Sequence, residues 1–164
     1  MRKVLPIALF CSLGAVSQAN AETVEFTADV QASCTISNIS NGSLVATLPD
    51  NLTSTGGGGV SASFNVTNNS ASAFKVVIDD VTSFDTAPAT VPTQIAFTTA
   101  PRISDGSNRD LDNRTDLTTS TEFSLDNEGE DTFTIDLTAF AQASGATFPV
   151  GNYVATTTVT CTTI

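Results

Sequence analysis

Apolar and polar residues alternate along much of this chain, which is the pattern of strands with one buried face and one solvated face. The first example is the stretch ETVEFTADVQASC, which begins at residue 22. Its apolar positions, every second residue, are Val24, Phe26, Ala28, Val30 and Ala32. We therefore predict a strand at this place, ahead of any other predicted element.

Similar segments recur down the chain with turn-forming residues between them. They cover residues 34–39, 43–48, 60–68, 73–81, 93–99, 121–125, 131–140 and 152–164. With the first segment they make eight or nine strands, and their spacing is typical of an all-β sandwich of one domain. The stretch LTAFAQASG (137–145) is the one place where a helical turn is expected, and residues 81–92 and 105–116 are predicted to be long connections.

The N-terminus has the features of a secretory signal peptide. A basic start (MRK) precedes the apolar run VLPIALFCSLGAV, and ANA ends at Ala21 as a cleavage site. We predict that residues 1–21 are removed, which leaves 143 of the 164 residues and takes Cys11 away. Because the mature chain contains no other long apolar run, we expect export through the inner membrane without membrane insertion.

The mature chain is strongly acidic. It keeps all 17 acidic residues and four basic residues, a formal charge of −13 (4 − 17). Such a surface repels nucleic acids and anionic membranes, so we exclude both as main partners.

Catalytic chemistry is poorly represented. The chain has no His and no Trp, which excludes a Ser-His-Asp triad and leaves little aromatic surface for stacking a sugar. We expect neither an enzyme nor a bound cofactor or metal. The loop at 105–116 carries four aspartates of the type that calcium prefers, but Arg109 and Arg114 lie among them, and a solvated loop with local ion pairs is the simpler interpretation.

Two cysteines remain after cleavage, Cys34 and Cys161. An even count in an exported chain predicts one disulfide between them. Two free, buried thiols are the alternative.

Three blocks of the mature chain resemble pilin-like subunits of the spore coat U type, a group that includes subunits of archaic chaperone-usher pili. FTADVQASCTIS (26–37) is similar to that family's opening. VSASFNVTNNSASAFKVVID (60–79) resembles its second and third strands, a hairpin with a small polar turn, and FPVGNYVATTTVTCT (148–162) resembles its closing strand. In such families the first cysteine commonly pairs with a cysteine in the second strand, but the corresponding strand of this chain contains no cysteine.

The resemblance implies an immunoglobulin-like, pilin-type β-sandwich that lacks its last strand and carries an N-terminal donor strand. Residues 22–33 would be the donor segment and 34–164 the sandwich domain. The donor face would be Val24, Phe26, Ala28 and Val30, and the strand that borders the acceptor groove would carry Tyr153, Ala155, Thr157 and Val159. The implied function is that of a structural subunit of a surface pilus or fimbria, assembled by donor-strand complementation, with a role in adhesion or biofilm formation.

The partners that this implies are like subunits in a homopolymer, a periplasmic chaperone and an outer-membrane usher. The chain would pass through the periplasm and end at the cell surface. The alternative is an exported, self-complete sandwich whose N-terminal strand pairs with its own sheet and whose loops at 81–92 and 105–116 recognise a glycan or a surface protein. A coat protein of the spore or cell envelope is a third possibility.

Overall fold

The computed structural model describes residues 25–110 and 113–164, and this part of the chain is all-β, with ten strands and no helix. The predicted signal peptide and Val24 lie outside the described residues. The chain divides into two units, Met1–Val30 and Gln31–Ile164, and all the strands belong to the second. In chain order they are β1 (Cys34–Ser40), β2 (Val45–Leu48), β3 (Asn51–Thr53), β4 (Ala62–Asn68), β5 (Phe74–Asp79), β6 (Ile95–Gly106), β7 (Arg114–Asp116), β8 (Ser120–Leu125), β9 (Gly129–Ala141) and β10 (Val159–Thr163).

The strands form two antiparallel sheets, which confirms the all-β prediction. The larger sheet has the order β1-β4-β9-β3-β2, with β6 on the opposite edge of β9, where Ile135 pairs with Ala62 on one side and Pro101 on the other. The smaller sheet has the order β10-β5-β8-β7. The first strand and the last strand are therefore both edge strands, one in each sheet.

The core lies between the two sheets and is built from the alternating positions of four strands. The larger sheet contributes Phe64 and Val66 of β4 and Phe133 and Ile135 of β9. The smaller sheet contributes Phe74, Val76 and Ile78 of β5 and Phe123 and Leu125 of β8. The ring of Phe133 stacks on Phe64 at 5.0 Å and meets Phe123 edge-on at 5.3 Å, so this one side chain joins the sheets.

The predicted hairpin between residues 60–68 and 73–81 is wrong, although both strands exist. β4 pairs with β1 and β9, whereas β5 pairs with β10 and β8, so the two strands lie in different sheets. Both have an apolar face, and placing them in opposite sheets lets those faces meet in one core. The polar turn between them carries the chain across, with Ser72 in the left-handed region (φ 55°).

Two other predictions about secondary structure are corrected. Residues 137–141, which we expected to include a helical turn, are the end of β9, because β3 and β6 pair with them from both edges. Residues 100–106, which we did not assign to a strand, continue β6 through Pro101. Pro is tolerated there because β6 lies at the edge of its sheet.

A buried polar cluster holds the turn after β6 against the start of β9. Asn108 and Asp131 are both fully buried. The backbone N–H and the side-chain amide of Asn108 donate to the two carboxylate oxygens of Asp131 at 2.8 and 2.6 Å. The side-chain oxygen of Asn108 also accepts from the backbone N–H of Asn127 at 2.8 Å. Through these hydrogen bonds, Asn108 ties three segments together.

Replacing Asn108 by Ala should lower the free energy of unfolding by about 2–4 kcal/mol, because it leaves buried polar partners unsatisfied. Chemical denaturation monitored by circular dichroism measures this. Asn65→Ala is the matched control, since Asn65 donates to Glu130 at an exposed site, and it should cost under about 0.5 kcal/mol. Equal losses in the two variants would contradict the structural role of the cluster.

Candidate functional site

The candidate site is a groove between the two edge strands. The predicted disulfide Cys34–Cys161 is confirmed, and it joins β1 to β10 with their Cα atoms 6.3 Å apart. Beyond that bridge, β1 runs on towards Ser40, and the opposite wall is the chain that leads into β10, residues 153–159. Between these walls lies an opening of about 700 Å3, which we call the edge groove.

The edge groove is apolar and reaches the core. Its lining includes the core side chains Phe64 and Ile135 and, beside them, Val81 and Leu137. Of the described residues that line it, none carries a charge at neutral pH. The groove therefore offers apolar contacts along its base, with the backbone of β1 on one side and that of residues 153–159 on the other, which is suited to binding an extended segment and not to acid–base chemistry.

The structure brings together all four residues predicted to border the acceptor groove. Tyr153, Ala155, Thr157 and Val159 line the edge groove from the same wall. Only Val159 belongs to a strand, however, because β10 spans Val159–Thr163. The prediction of one continuous final strand over 152–164 is therefore wrong for residues 152–158.

The final strand is short because its partner ends. β5 stops at Asp79, whose N–H donates to the carbonyl of Thr158 at 3.0 Å. Ahead of that point, Val154 forms an isolated antiparallel bridge with Thr86, which lies in the connection after β5. Main-chain hydrogen bonds thus hold the wall of the groove at two places. Between them, the side chains of Thr156 and Thr157 donate to the carboxylate of Asp85 and to the carbonyl of Asp79, and residues 155–157 belong to no strand.

Tyr153 anchors this wall in a small aromatic cluster away from the main core. Its ring lies 5.1 Å from that of Phe84 and 5.6 Å from that of Phe148. Its hydroxyl donates to the carbonyl of Pro149 at 2.6 Å. Partial burial raises the pKa of the Tyr153 phenol above its usual value. The side chain is therefore a neutral, fixed element of the groove.

The predicted donor face is exposed where the structure describes it. The predicted strand is wrong for residues 25–33, which form no strand and, contrary to the self-complete alternative, belong to neither of the chain's own sheets, and Phe26, Ala28 and Val30 are exposed. The exposed fractions of Phe26 and Val30 are 93% and 79%. Exposed apolar side chains that recur along one segment can mark an interaction surface, whereas single ones do not. The donor role of these residues stays a prediction.

Sequence reasoning missed most of the lining on the β1 side. Ile39 and Leu44 line the edge groove, with Asn41, Gly42 and Ser43 between them. Gly42 permits a close approach here, since a Cβ on it would lie 2.7 Å from the carbonyl oxygen of Val60. The available signal for such an approach was a glycine in the short connection between the predicted strands at 34–39 and 43–48.

The aspartate-rich loop does not gather its carboxylates in the part of the chain that the structure describes. No group of three or more His, Cys, Asp or Glu side chains suited to a metal ion is found in residues 25–110 and 113–164, and Asp112 lies outside them. The same residues include no helix that is long and apolar enough to cross a membrane.

No protein-family model matches the chain, and neither a curated protein nor a solved structure matches it.

Proposed function

We propose that this chain is a structural subunit of a surface pilus, assembled when the donor segment of one copy fills the edge groove of another. One observation carries the proposal: an apolar groove separates two edge strands of a chain whose own N-terminal segment has an exposed apolar face. Open strand edges beside exposed core side chains are a template for strand addition. In this proposal the fold is a pilin-type, immunoglobulin-like sandwich that lacks its last strand.

The groove and the donor face agree in length and in chemistry. Residues 24–30 and residues 153–159 are segments of equal length, and each spans roughly 20 Å as a strand. Four apolar side chains would point into a lining without charges, while Glu25, Thr27 and Asp29 would face water. At about 25 cal/mol per Å2 of apolar area, burial of Val24, Phe26 and Val30 would contribute several kcal/mol.

The remaining parts of the proposal follow from assembly at a cell surface. A free edge groove is an aggregation hazard, so a periplasmic chaperone would cover it before an outer-membrane usher exports the growing fibre. The high negative charge would keep the subunits soluble in transit. The chain would act by assembly and adhesion, and not as an enzyme.

The test uses the chain from Glu22 onwards, prepared without a chaperone, beside a variant that lacks residues 22–32. We expect the first to form a ladder of linked chains on size-exclusion chromatography and on gels of unheated samples. The shortened variant should remain monomeric and should bind an added peptide of residues 22–32. If both forms are monomers and neither binds the peptide, strand donation is wrong.

A further inference from the structure

Asn69 holds the backbone where the donor segment joins the first strand. The side-chain oxygen of Asn69 accepts from the N–H of Ser33 at 2.7 Å, and its side-chain amide donates to the carbonyl of Gln31 at 3.0 Å. The N–H of Asn69 also donates to the carbonyl of Ser33 at 3.2 Å. Three hydrogen bonds from one residue thus fix the backbone of residues 31–33.

These bonds continue the pairing of β1 with β4 by one step. Cys34 pairs with Asn68 in the antiparallel ladder, and Ser33 lies opposite Asn69 in the same register. Residues 31–33 therefore extend the line of β1 past its first residue.

The turn that contains Asn69 is held by further hydrogen bonds. Its neighbour Asn68 is buried, and the side-chain amide of Asn68 donates to the carbonyls of Ser70 and Asn127. The turn that carries Asn69 is consequently fixed to the connection between β8 and β9.

For a chain to fill its own edge groove, its donor segment would have to run in the opposite direction to the line that residues 31–33 follow. The donor segment would have to reverse and run back along β1, and the reversal would have to occur before Cys34, which the disulfide and β4 both hold. A two-residue turn at Ala32 and Ser33 meets that condition, but it would break the bonds to Asn69. Such turns also need a positive φ at one or both residues, and Ala and Ser lack the tolerance of Gly or Asn.

We propose that Asn69 is a positioning residue that keeps the donor segment from closing into its own groove and so leaves the groove to a second copy of this chain. This inference rests on the proposed function and adds what selects a neighbour over self-closure. Each hydrogen bond of this kind shifts an equilibrium about fivefold, so together they shift the balance between open and closed chains by at least about tenfold at this exposed site.

The experiment compares four chains that begin at Glu22: wild type, Asn69→Ala, the turn variant Ala32→Asn/Ser33→Gly, and the combination of all three substitutions. Asn-Gly is the favoured sequence for a two-residue hairpin turn, so it removes the second obstacle to closure. Each chain is refolded with an excess of labelled peptide of residues 22–32, and bound peptide per monomer is measured. A chain that has closed on itself takes up little peptide.

We expect wild type and the turn variant to bind nearly one peptide per monomer, Asn69→Ala to bind slightly less, and the combined variant to bind at least about tenfold less. A matched control joins the turn substitutions to Asn65→Ala, which removes an asparagine of the adjacent strand β4 whose side chain donates to Glu130. That control should behave as the turn variant does. Thermal melting of each chain shows whether a loss of peptide binding is a loss of fold.

Two results would overturn the inference while leaving the proposed function in place. In one, the combined variant binds as much peptide as wild type. In the other, the turn variant closes fully although Asn69 is intact. A wild-type chain that neither binds the peptide nor forms linked chains would instead remove the proposed function, and that result is distinct from both.

Discussion

Replacing Phe26 by Asp should abolish binding of the donor segment to the edge groove, whereas Thr27→Asp should leave binding nearly unchanged. The two substitutions introduce the same charge at adjacent positions on opposite faces of a strand. In the proposed complex Phe26 enters an apolar groove, and Thr27 faces water. Losing the phenyl ring removes about 2–3 kcal/mol of apolar burial, and placing a carboxylate in the groove costs several kcal/mol more.

The expected loss of affinity for Phe26→Asp is therefore at least about a thousandfold, against less than about threefold for Thr27→Asp. Peptides of residues 22–32 with each substitution, titrated against the chain that lacks those residues, measure the two dissociation constants. The same substitutions in the longer chain should abolish and preserve the ladder of linked chains, respectively. Equal effects at the two positions would contradict insertion of the apolar face.

Most strands were predictable because a strand with one buried face and one solvated face has alternating apolar and polar residues. β4, β5 and β9 alternate apolar and polar residues, and their apolar residues are the ones that the core buries. The disulfide was predictable from a count of two cysteines after removal of a predicted export signal. These inferences need only local periodicity or composition, and neither depends on how the strands are ordered in space.

Sheet membership was not predictable, as the polar turn between β4 and β5 shows. A turn that closes a hairpin and a turn that crosses between sheets use the same small polar residues. The two arrangements differ only in which other strands are available, here β1 and β9 for β4 and β10 and β8 for β5. That information lies far away along the chain.

The candidate site was predictable along one wall only. The resemblance implied that Tyr153, Ala155, Thr157 and Val159 border the groove, and all four line it, although Val154 and Thr156 between them line it as well. The base of the groove was not predictable, because Val81 and Leu137 come from separate segments that the fold brings together. The start of β10 at Val159 was not predictable either, because it is set by the residue at which β5 ends.

Removing the disulfide should have the largest effect on stability of any change considered for this chain. Cys34 and Cys161 are 127 residues apart, so their bridge closes a loop that spans nearly the whole domain. In the loop-entropy description, a bridge of that span stabilises the folded state by roughly 4–5 kcal/mol. Denaturation of Cys34→Ser/Cys161→Ser against wild type, without reductant, should show a loss of that order. Wild type treated with reductant is the control and should lose a similar amount, and a loss below about 1 kcal/mol in both would contradict the expectation.

The same substitutions should also weaken peptide binding, because the bridge does more than hold the ends of the chain. β1 pairs with β4 and β10 pairs with β5, so each of the two strands that the disulfide joins keeps one partner strand when the disulfide is absent. What the bridge adds is the fixed spacing of the two walls, which belong to different sheets. An inserted strand that bonds to both walls needs that spacing, and we expect affinity for the peptide of residues 22–32 to fall at least about tenfold under conditions in which the variant is still folded. Unchanged affinity in the folded variant would mean that the core alone sets the width of the groove.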